Sequence, residues 1–334
     1  MLKIEKVGLM ANVIDAGRAG VQAQGFSQSG ALDWLSFEYA NAALGQPLTQ
    51  AAIEVLGGHF SCRFMHACVI CISGADAELT INGKVVSLDK PLVVAQNAQL
   101  VINRLTHGIV NYIALKASLH IPTFGQSVCA VAREKHGGIH QNGTSLQAGD
   151  YIAGTPTPSA ADTFDKKRTP IIDKSASLFL SSVHAILKQK YQAIKRVNFT
   201  LSYQANLFTH TQIAQFINTP YELTQNMDRM GIRLKGKTMV CKEQTLPSQG
   251  MVYGAIQVPG DGQPIVMRND RQTIGGYPVI GVVDRVGMAM LGQAVPGQHV
   301  VFSIGDFEDS RQKRLLAELI LEKYSTKQAQ LFTN

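Results

Sequence analysis

Asp270, Arg271, Gln272 and Thr273 put an acid, a guanidinium, an amide and a hydroxyl in one run, within Asn269-Asp270-Arg271-Gln272-Thr273-Ile274-Gly275-Gly276-Tyr277-Pro278. Just upstream, Gly254 to Val266 carries Gln257 and Gln263 between apolar runs punctuated by Gly and Pro. Gly and Pro fix backbone shape at turns. The polar side chains between them suit a small polar ligand, because carboxylates, guanidinium forks and amides offer complementary donors and acceptors. The stretch reads as the wall of a site, with a structural turn as the competing reading.

Two further polar sets stand out. Asp15 and Arg18 lie in a Gly-flanked turn, Asp33 follows Ser29-Gly30 at a helix start, and with Glu54 they are candidates to orient a polar substrate. Their bland reading is an exposed ion pair of little energetic weight and, for Asp33, a favourable end of a helix dipole. Asp228, Arg229 and Arg233 form the second set, in which the arginines suit carboxylate or phosphate oxygens. Cys68-Val69-Ile70-Cys71 matches a metal spacing, but on a strand residues three apart face opposite ways, so core cysteines are expected. His136-Gly137-Gly138-Ile139-His140 has a helical chelating spacing that its paired glycines oppose, so a polar loop and no metal site are expected. No phosphate-cradling Gly-x-x-x-x-Gly-Lys-Ser/Thr run occurs.

The 334 residues suffice for two ordinary domains, and 45% hydrophobic with 16% charged residues fits a folded globular protein. The net charge of +7 comes from scattered basic residues, which argues against nucleic acid and equally suits an anionic small molecule or an acidic partner. Five cysteines do not make a disulfide scaffold. No apolar stretch nears the roughly 20 residues that span a bilayer, so a cytoplasmic protein without membrane contact is expected.

The elements that must position these side chains are mainly strands. Leu2 to Val13 reads as strand, and Ala31 to Leu44 as a helix stopped by Gly45. Short β runs fill Ala52 to Leu115, with a hairpin at Asn82-Gly83. Thr155 to Lys174 loses periodicity. Thr209 to Asn218 reads as a helix, Glu222 to Phe302 as strands, and Glu308 to Tyr324 as a helix with a Leu315, Leu316, Leu319 and Ile320 stripe. This divides the chain into a β-barrel-like domain over 1–155, a linker or exposed loop over 156–180, a second β-barrel-like domain over 181–310, and a helix and tail over 311–334. Asp15-Ala16-Gly17-Arg18-Ala19-Gly20 and Asp228-Arg229-Met230-Gly231-Ile232-Arg233 echo each other weakly in Asp, Arg and Gly content, as duplication of one barrel or chance would produce.

The combined pattern resembles the family of C-type 5-oxoprolinase subunits, also called allophanate hydrolase subunit 2 or the biotin-dependent carboxyltransferase family. The resemblance rests on Val13 to Arg18, Gly25 to Asp33, Ala40-Asn41, Glu54 and Ser73 to Asp76 in the first half. In the second it rests on Asp228 to Gly236, Ser248-Gln249-Gly250, Gly254 to Val266 and Asp270 to Pro278. It implies a mainly β fold with a few short helices and two cyclophilin-like β-barrel subdomains. It also implies an ATP-dependent cyclic amide hydrolase subunit, inactive alone, that opens 5-oxoproline to glutamate. Its implied partner is the B-type 5-oxoprolinase subunit, with an A-type subunit completing the hydrolysis. ATP, with magnesium, would be held by this chain or its partner, and no biotin is carried covalently here.

Under this resemblance Asp15, Arg18, Asp33, Asp270 and Arg271 are the catalytic candidates. Ser29, Asn41, Glu54, Arg229, Arg233, Gln257, Gln263, Gln272, Thr273 and Tyr277 are the substrate-binding candidates. The chain departs from the family pattern at Leu115 to Ser118, Gly125 to Arg133 and Phe199 to Tyr203, and Gln249 replaces a usual Glu. The alternatives are a carboxyltransferase-type subunit for urea or allophanate metabolism and a non-catalytic regulatory protein that binds a kinase inhibitor.

Overall fold

A computed structural model describes residues 1–157, 194–243 and 246–333. Most of the expected linker, from residue 158 onward, and the first part of the expected second domain lie outside the described residues. The chain divides into two compact units. Unit 1 comprises Met1–Ala19, Asp33–His184 and Ala317–Asn334, and unit 2 comprises Gly20–Leu32 and Ala185–Leu316. Each unit is therefore assembled from separate stretches of sequence.

Unit 1 is built on one antiparallel sheet of nine strands: β1 (Leu2–Lys6), β2 (Met10–Ile14), β3 (Ala52–Leu56), β4 (Phe60–Phe64), β5 (Cys68–Ile81), β6 (Lys84–Val86), β7 (Pro91–Val94), β8 (Gln99–Leu115) and β10 (Tyr151–Ile152). The order runs β10-β1-β4-β8-β3-β2, and β5 joins β8 while carrying β6 and β7. A separate pair joins β9 (Ala117–Leu119) to β11 (Gly154–Pro156). The long strands β5 and β8 pair with three register shifts between Gly74 and Leu79. Bulges of this kind bend a sheet and increase its twist. Asn82 and Gly83 both take positive φ and join β5 to β6, as their sequence predicts. Phe60, Phe64, Ile70, Ile72 and Ile113 are fully buried in the core of this unit.

Cys68 and Cys71 are buried in β5. Burial pushes the Cys68 thiol up to about 12 and Cys71 well above its ordinary value. Thiols held in the protonated form are poor nucleophiles and poor metal ligands. Native protein is therefore expected to react with a disulfide reagent at Cys68 and Cys71 only after denaturant is added; rapid native labelling at either would contradict their burial.

Helix α1 (Trp34–Ala43) begins three residues later than the sequence suggests, because Asp33 is its N-cap and accepts a hydrogen bond from Ser36 N. Gly45, just past its end, takes φ +58°, and a Cβ there would lie 2.2 Å from Ala329 N. Both the left-handed backbone and the close approach require glycine.

In unit 2 a closed barrel runs β12-β19-β16-β17-β14-β13-β20. Its strands are β12 (Ile194–Leu201), β13 (Tyr221–Met227), β14 (Gly231–Lys235), β16 (Ala255–Gln257), β17 (Ile265–Met267), β19 (Val279–Val283) and β20 (His299–Ile304). Closure leaves no free edge. All pairs are antiparallel except β12 with β20. A short ribbon pairs β15 (Gln249–Gly250) with β18 (Ile274–Gly275). Phe199, Phe216, Tyr221 and Phe302 pack ring against ring in the core, with centroids 4.6 to 6.4 Å apart. Helix α2 (His210–Asn218) is capped by Thr209 and α3 (Arg285–Gly292) by Asp284.

Asp284 accepts hydrogen bonds from Gly287 N at 2.6 Å and Ser310 Oγ at 3.3 Å. Burial nevertheless holds its carboxyl above the usual range, against those hydrogen bonds and the charge of Lys313. A raised acid favours folding most when protonated, so its contribution is complete below the unfolded value of about 3.9 and is lost as pH rises through the folded value. Asn caps as well as Asp. Asp284→Asn is therefore expected to be more stable than wild type at pH 7, with the difference shrinking in urea titrations taken down to pH 4. A difference independent of pH would contradict this.

The terminal helix α4 (Phe307–Thr333) corrects the sequence reading. The stripe expected to pack is largely exposed, with Leu315, Leu316 and Leu319 at 45%, 53% and 62%. The buried positions are Ala317, Leu321, Tyr324, Gln328 and Phe332. These follow a helical spacing of three and four on the opposite side. In unit 1 Tyr324 stacks on Tyr39 with centroids 5.9 Å apart, and Ser325 Oγ donates to the Gln46 carbonyl. Among the described residues no helix is long and apolar enough to cross a membrane.

Candidate functional site

Unit 1 takes up several sequence candidates as scaffold. The Asp15 carboxylate, just after β2, accepts from Gly17 N at 2.9 Å, Ser127 Oγ at 2.6 Å and Val128 N at 2.8 Å. Cys129 Sγ lies 3.2 Å from Asp15 Oδ1. Arg18 is buried, ion-paired with Glu134, bonded to the Cys129 and His136 carbonyls, and placed over the Phe124 ring at 5.0 Å. These contacts tie the strand-end turn to the loop of residues 124–137.

Asp33 spends its carboxylate on Ser36 N and Ser36 Oγ, the latter at 2.6 Å. Its own N–H donates to Tyr112 Oη, which donates to Glu54 Oε2 at 2.9 Å. Burial, then the charges of Glu54 and Asp33, hold the Tyr112 hydroxyl well above its ordinary value, so it acts as a donor and not an anion. Asn41, read as substrate-binding, donates to the Leu48 and Gln50 carbonyls and accepts from Gln46 Nε2. Its amide is committed to the turn after α1. The His136 to His140 stretch is a loop with Gly137 and Gly138 at positive φ. Among the described residues no group of three His, Cys, Asp or Glu side chains is placed to hold a metal.

Unit 2 brings together residues far apart in sequence. Arg229 and Asp270 form a buried two-pronged pair, with Arg229 Nε 2.8 Å from Asp270 Oδ2 and Nη2 3.1 Å from Oδ1. Ser29 Oγ donates to Asp270 Oδ1 at 2.7 Å, and Arg229 Nη2 donates to the Gly30 carbonyl at 2.7 Å. Asn269 Nδ2 donates to the Ala31 carbonyl, while Ser29 N donates to the Asn269 carbonyl. Ser29 takes φ +59°, a strained backbone for a non-glycine residue that these contacts hold in place. The 29–31 and 269–270 segments are thus locked by charge-assisted hydrogen bonds.

Unit 2 also holds polar groups whose capacity is not used among the described residues. Gln257, at the end of β16, is 1% exposed, and its Nε2 has no hydrogen-bond partner among the described residues. Its Oε1 accepts only at the limit, from Gln272 Nε2 at 3.5 Å. A Cβ at Gly275 of the β15–β18 ribbon would sit 2.7 Å from that nitrogen, so glycine gives the amide its room. Asn269 Oδ1 is likewise buried without a hydrogen-bond partner among the described residues. An amide donor with no acceptor suits a ligand that presents a carbonyl oxygen.

Arg271 is 4% exposed and directs its hydrogen bonds to the Met251 and Arg268 carbonyls. Burial pulls its guanidinium below its ordinary value, opposed by Tyr253 and Asp270. Tyr253 lies under both Arg271 and Arg285, at 5.8 and 5.7 Å. Thr273 and the exposed Ile274 border an open cleft with Gln22 and Gly250, and Tyr277 is exposed.

Two other candidates make contacts within unit 2. Gln263 grips Gly236 through both its N–H and its carbonyl, and Arg233 pairs with Asp261 near the surface. The sequence reading passed over Tyr253, Arg268 and Asn269. Arg268 and Asn269 adjoin Asp270 directly, so proximity to the polar run was the available signal. Nothing local marked Tyr253.

Comparison with known proteins matches residues 24–304 to the family model described as the carboxyltransferase domain, subdomain A and B. The chain is 28% identical over 315 residues to the 5-oxoprolinase C subunit of Escherichia coli (strain K12), covering 94% of each. The protein of the same name from Haemophilus influenzae is 28% identical over 324 residues, covering 97% of each. Among solved structures, the K. lactis urea amidolyase superimposes with a TM-score of 0.82 over 97% of this chain at 22% identity. The chain spans 20% of that larger chain, and at this identity the likeness is one of fold.

Proposed function

The chain belongs to the carboxyltransferase-domain family, subdomain A and B, and from that premise we propose that it is the C-type subunit of an ATP-dependent 5-oxoprolinase, acting with a B-type subunit homologue. An A-type subunit completes the hydrolysis to glutamate. The match to relatives of that name runs over nearly the whole of both chains. The structural observation that carries the reading is the buried, unpartnered amide N–H2 of Gln257 in unit 2. A lactam carbonyl oxygen is the acceptor it lacks. Access requires the two-residue ribbon β15–β18 over Gln257 to lift.

An unstrained amide is a poor electrophile. ATP would supply the activation: its γ-phosphoryl would pass to the lactam oxygen as the bond to ADP breaks and the N–H proton leaves. One water would then add to the carbon and its protons pass to nitrogen as the ring C–N bond breaks, leaving an amine and an acyl phosphate, and a second water would hydrolyse the acyl phosphate to carboxylate and free phosphate. Within this scheme Gln257 orients the amide, and Arg271 balances negative charge developing on oxygen, as a buried guanidinium does most strongly. Arg229 and Asp270 hold the loops that carry them. A cytoplasmic location accords with ATP use.

The test is reconstitution. With the A-type and B-type homologues present, ADP and glutamate are expected in equal amounts, dependent on 5-oxoproline and lost when this chain is omitted. ADP release indifferent to 5-oxoproline would overturn the proposal. The family description supports a second reading, carboxyl transfer with a biotin-bearing partner, which requires a biotinylated protein to be retained with this chain on streptavidin. Tight partner binding with no turnover of any amide would indicate the regulatory role.

A further inference from the structure

Arg271 is a buried guanidinium that unit 2 leaves without an acid of its own. Nε donates to the Met251 carbonyl at 3.1 Å and Nη1 to the Arg268 carbonyl at 3.3 Å. Both acceptors are neutral. Among the described residues no carboxylate pairs with Arg271, and its Nη2 makes no hydrogen bond. Asp270, the preceding residue, favours the cation by its charge, but its oxygens are committed to Arg229 and Ser29, and burial outweighs that charge. A cation taken out of water without a paired anion is costly, so a ligand that brings the negative charge suits this position.

Met251 connects this guanidinium to the spare amide. A Cβ at Gly275 would lie 2.8 Å from Met251 Cε and 2.7 Å from Gln257 Nε2, so the end of the Met251 side chain sits beside that nitrogen. The Met251 carbonyl, which holds Arg271, also accepts from Gln22 Nε2 at 2.9 Å. Gln22 in turn lines the open cleft, about 470 Å3 in volume, with Gly250 and Thr273. That volume lies within the range of small-molecule sites. A Cβ at Gly250 would meet nothing within 4 Å, so this wall leaves room for a ligand.

We infer that Arg271 binds the carboxylate of the substrate, and that the site selects small amides carrying an anionic group over neutral ones. This rests on the 5-oxoprolinase reading and deepens it. In 5-oxoproline the carboxylate and the lactam oxygen sit on the two carbons that flank the ring nitrogen. Nη2 takes the carboxylate, Gln257 donates to the lactam oxygen, and the guanidinium charge acts on that oxygen across the ring.

Titration of the full chain, in complex with the B-type homologue, with 5-oxoproline and with 2-pyrrolidinone tests this. The two share the lactam ring and differ in the carboxylate. 5-Oxoproline is expected to bind at least about 30-fold more tightly. Arg271→Gln is expected to reduce that preference at least about 10-fold, and Arg271→Lys, which keeps the charge without the fork, to retain part of it. A role confined to charge on the lactam oxygen would weaken both lactams equally. An unchanged preference in Arg271→Gln, equal affinities in wild type, or no binding of 5-oxoproline at millimolar concentration would each overturn the inference. Because Arg271 is buried, a wild-type measurement stands beside the variants. In 15N-arginine-labelled chain the Arg271 guanidinium signal, assigned by its loss in Arg271→Lys, is expected to shift with 5-oxoproline and not with 2-pyrrolidinone; the same shift with both, or none with 5-oxoproline, would contradict it. Two results separate the two proposals. Coupled turnover of 5-oxoproline with the preference intact in Arg271→Gln leaves the 5-oxoprolinase reading standing without this carboxylate site. A preference that depends on Arg271, with no 5-oxoproline-dependent ADP release, leaves the carboxylate site standing without that reading.

Discussion

Asp270→Ala is expected to lower the stability of unit 2 by about 3–5 kcal/mol, because it strands the Arg229 guanidinium in a buried setting. Both side chains of the pair are only 8% exposed, and the carboxylate receives three hydrogen bonds from Arg229 and Ser29. Arg229→Ala is expected to cost a similar amount for the converse reason. Replacing both, as Arg229→Met with Asp270→Leu, is expected to recover much of the loss, since a buried ion pair exchanged for packed apolar groups is often near neutral. Urea denaturation followed by fluorescence and circular dichroism measures this. Single variants within about 0.5 kcal/mol of wild type would show that the pair is solvated. The same variants release the 29–31 segment from residues 269–270, so activity in the complex is expected to fall with stability.

Gln257→Leu is expected to act in the opposite sense on the two properties. Burying an amide donor without a partner costs about 1–3 kcal/mol, so the isosteric apolar side chain is expected to leave stability unchanged or raise it by about 1 kcal/mol. Coupled 5-oxoproline turnover is expected to fall about 10- to 100-fold in kcat/KM, the loss from removing one hydrogen bond to a substrate oxygen. Gln257→Glu is a sharper variant, because an ionised carboxylate offers only acceptors to the lactam carbonyl and so repels it. A stable Gln257→Leu protein with full coupled activity would place the amide site elsewhere. A destabilised one would mean that the nitrogen has a structural role.

Local chemistry was readable from the sequence wherever near neighbours decide it. Asn82-Gly83 forms its hairpin and the helix over 210–218 lies where it was expected, whereas α1 starts later because Asp33 caps it. The Asp33 carboxylate is engaged with Ser36 at the start of that helix. Long-range pairing was not readable. Nothing in the sequence says that Ser29 would reach Asp270, 241 positions away, or that Asp15 would spend its carboxylate on Ser127 and Val128. Asn41 looked available because its partners, at Leu48 and Gln50, are backbone carbonyls that no residue type reveals.

The terminal helix shows the limit of periodicity. Two apolar stripes share α4, and the denser leucine stripe is the exposed one, while Tyr324 and Phe332 anchor the buried side further along. The candidate site was legible as a polar run between glycines. Which of its members are spent and which are spare is decided by neighbours such as Gly275 and Met251, whose placement only the fold supplies.

The most direct measurement follows the Gln257 side-chain amide itself. In 15N-labelled chain within the complex with the B-type homologue, the Gln257 NH2 signals can be assigned by their loss in Gln257→Leu. On addition of 5-oxoproline these signals are expected to move downfield and to become protected from exchange, as a hydrogen bond to the lactam oxygen forms. Signals that stay fixed under saturating 5-oxoproline, while amides elsewhere in the chain shift, would contradict it.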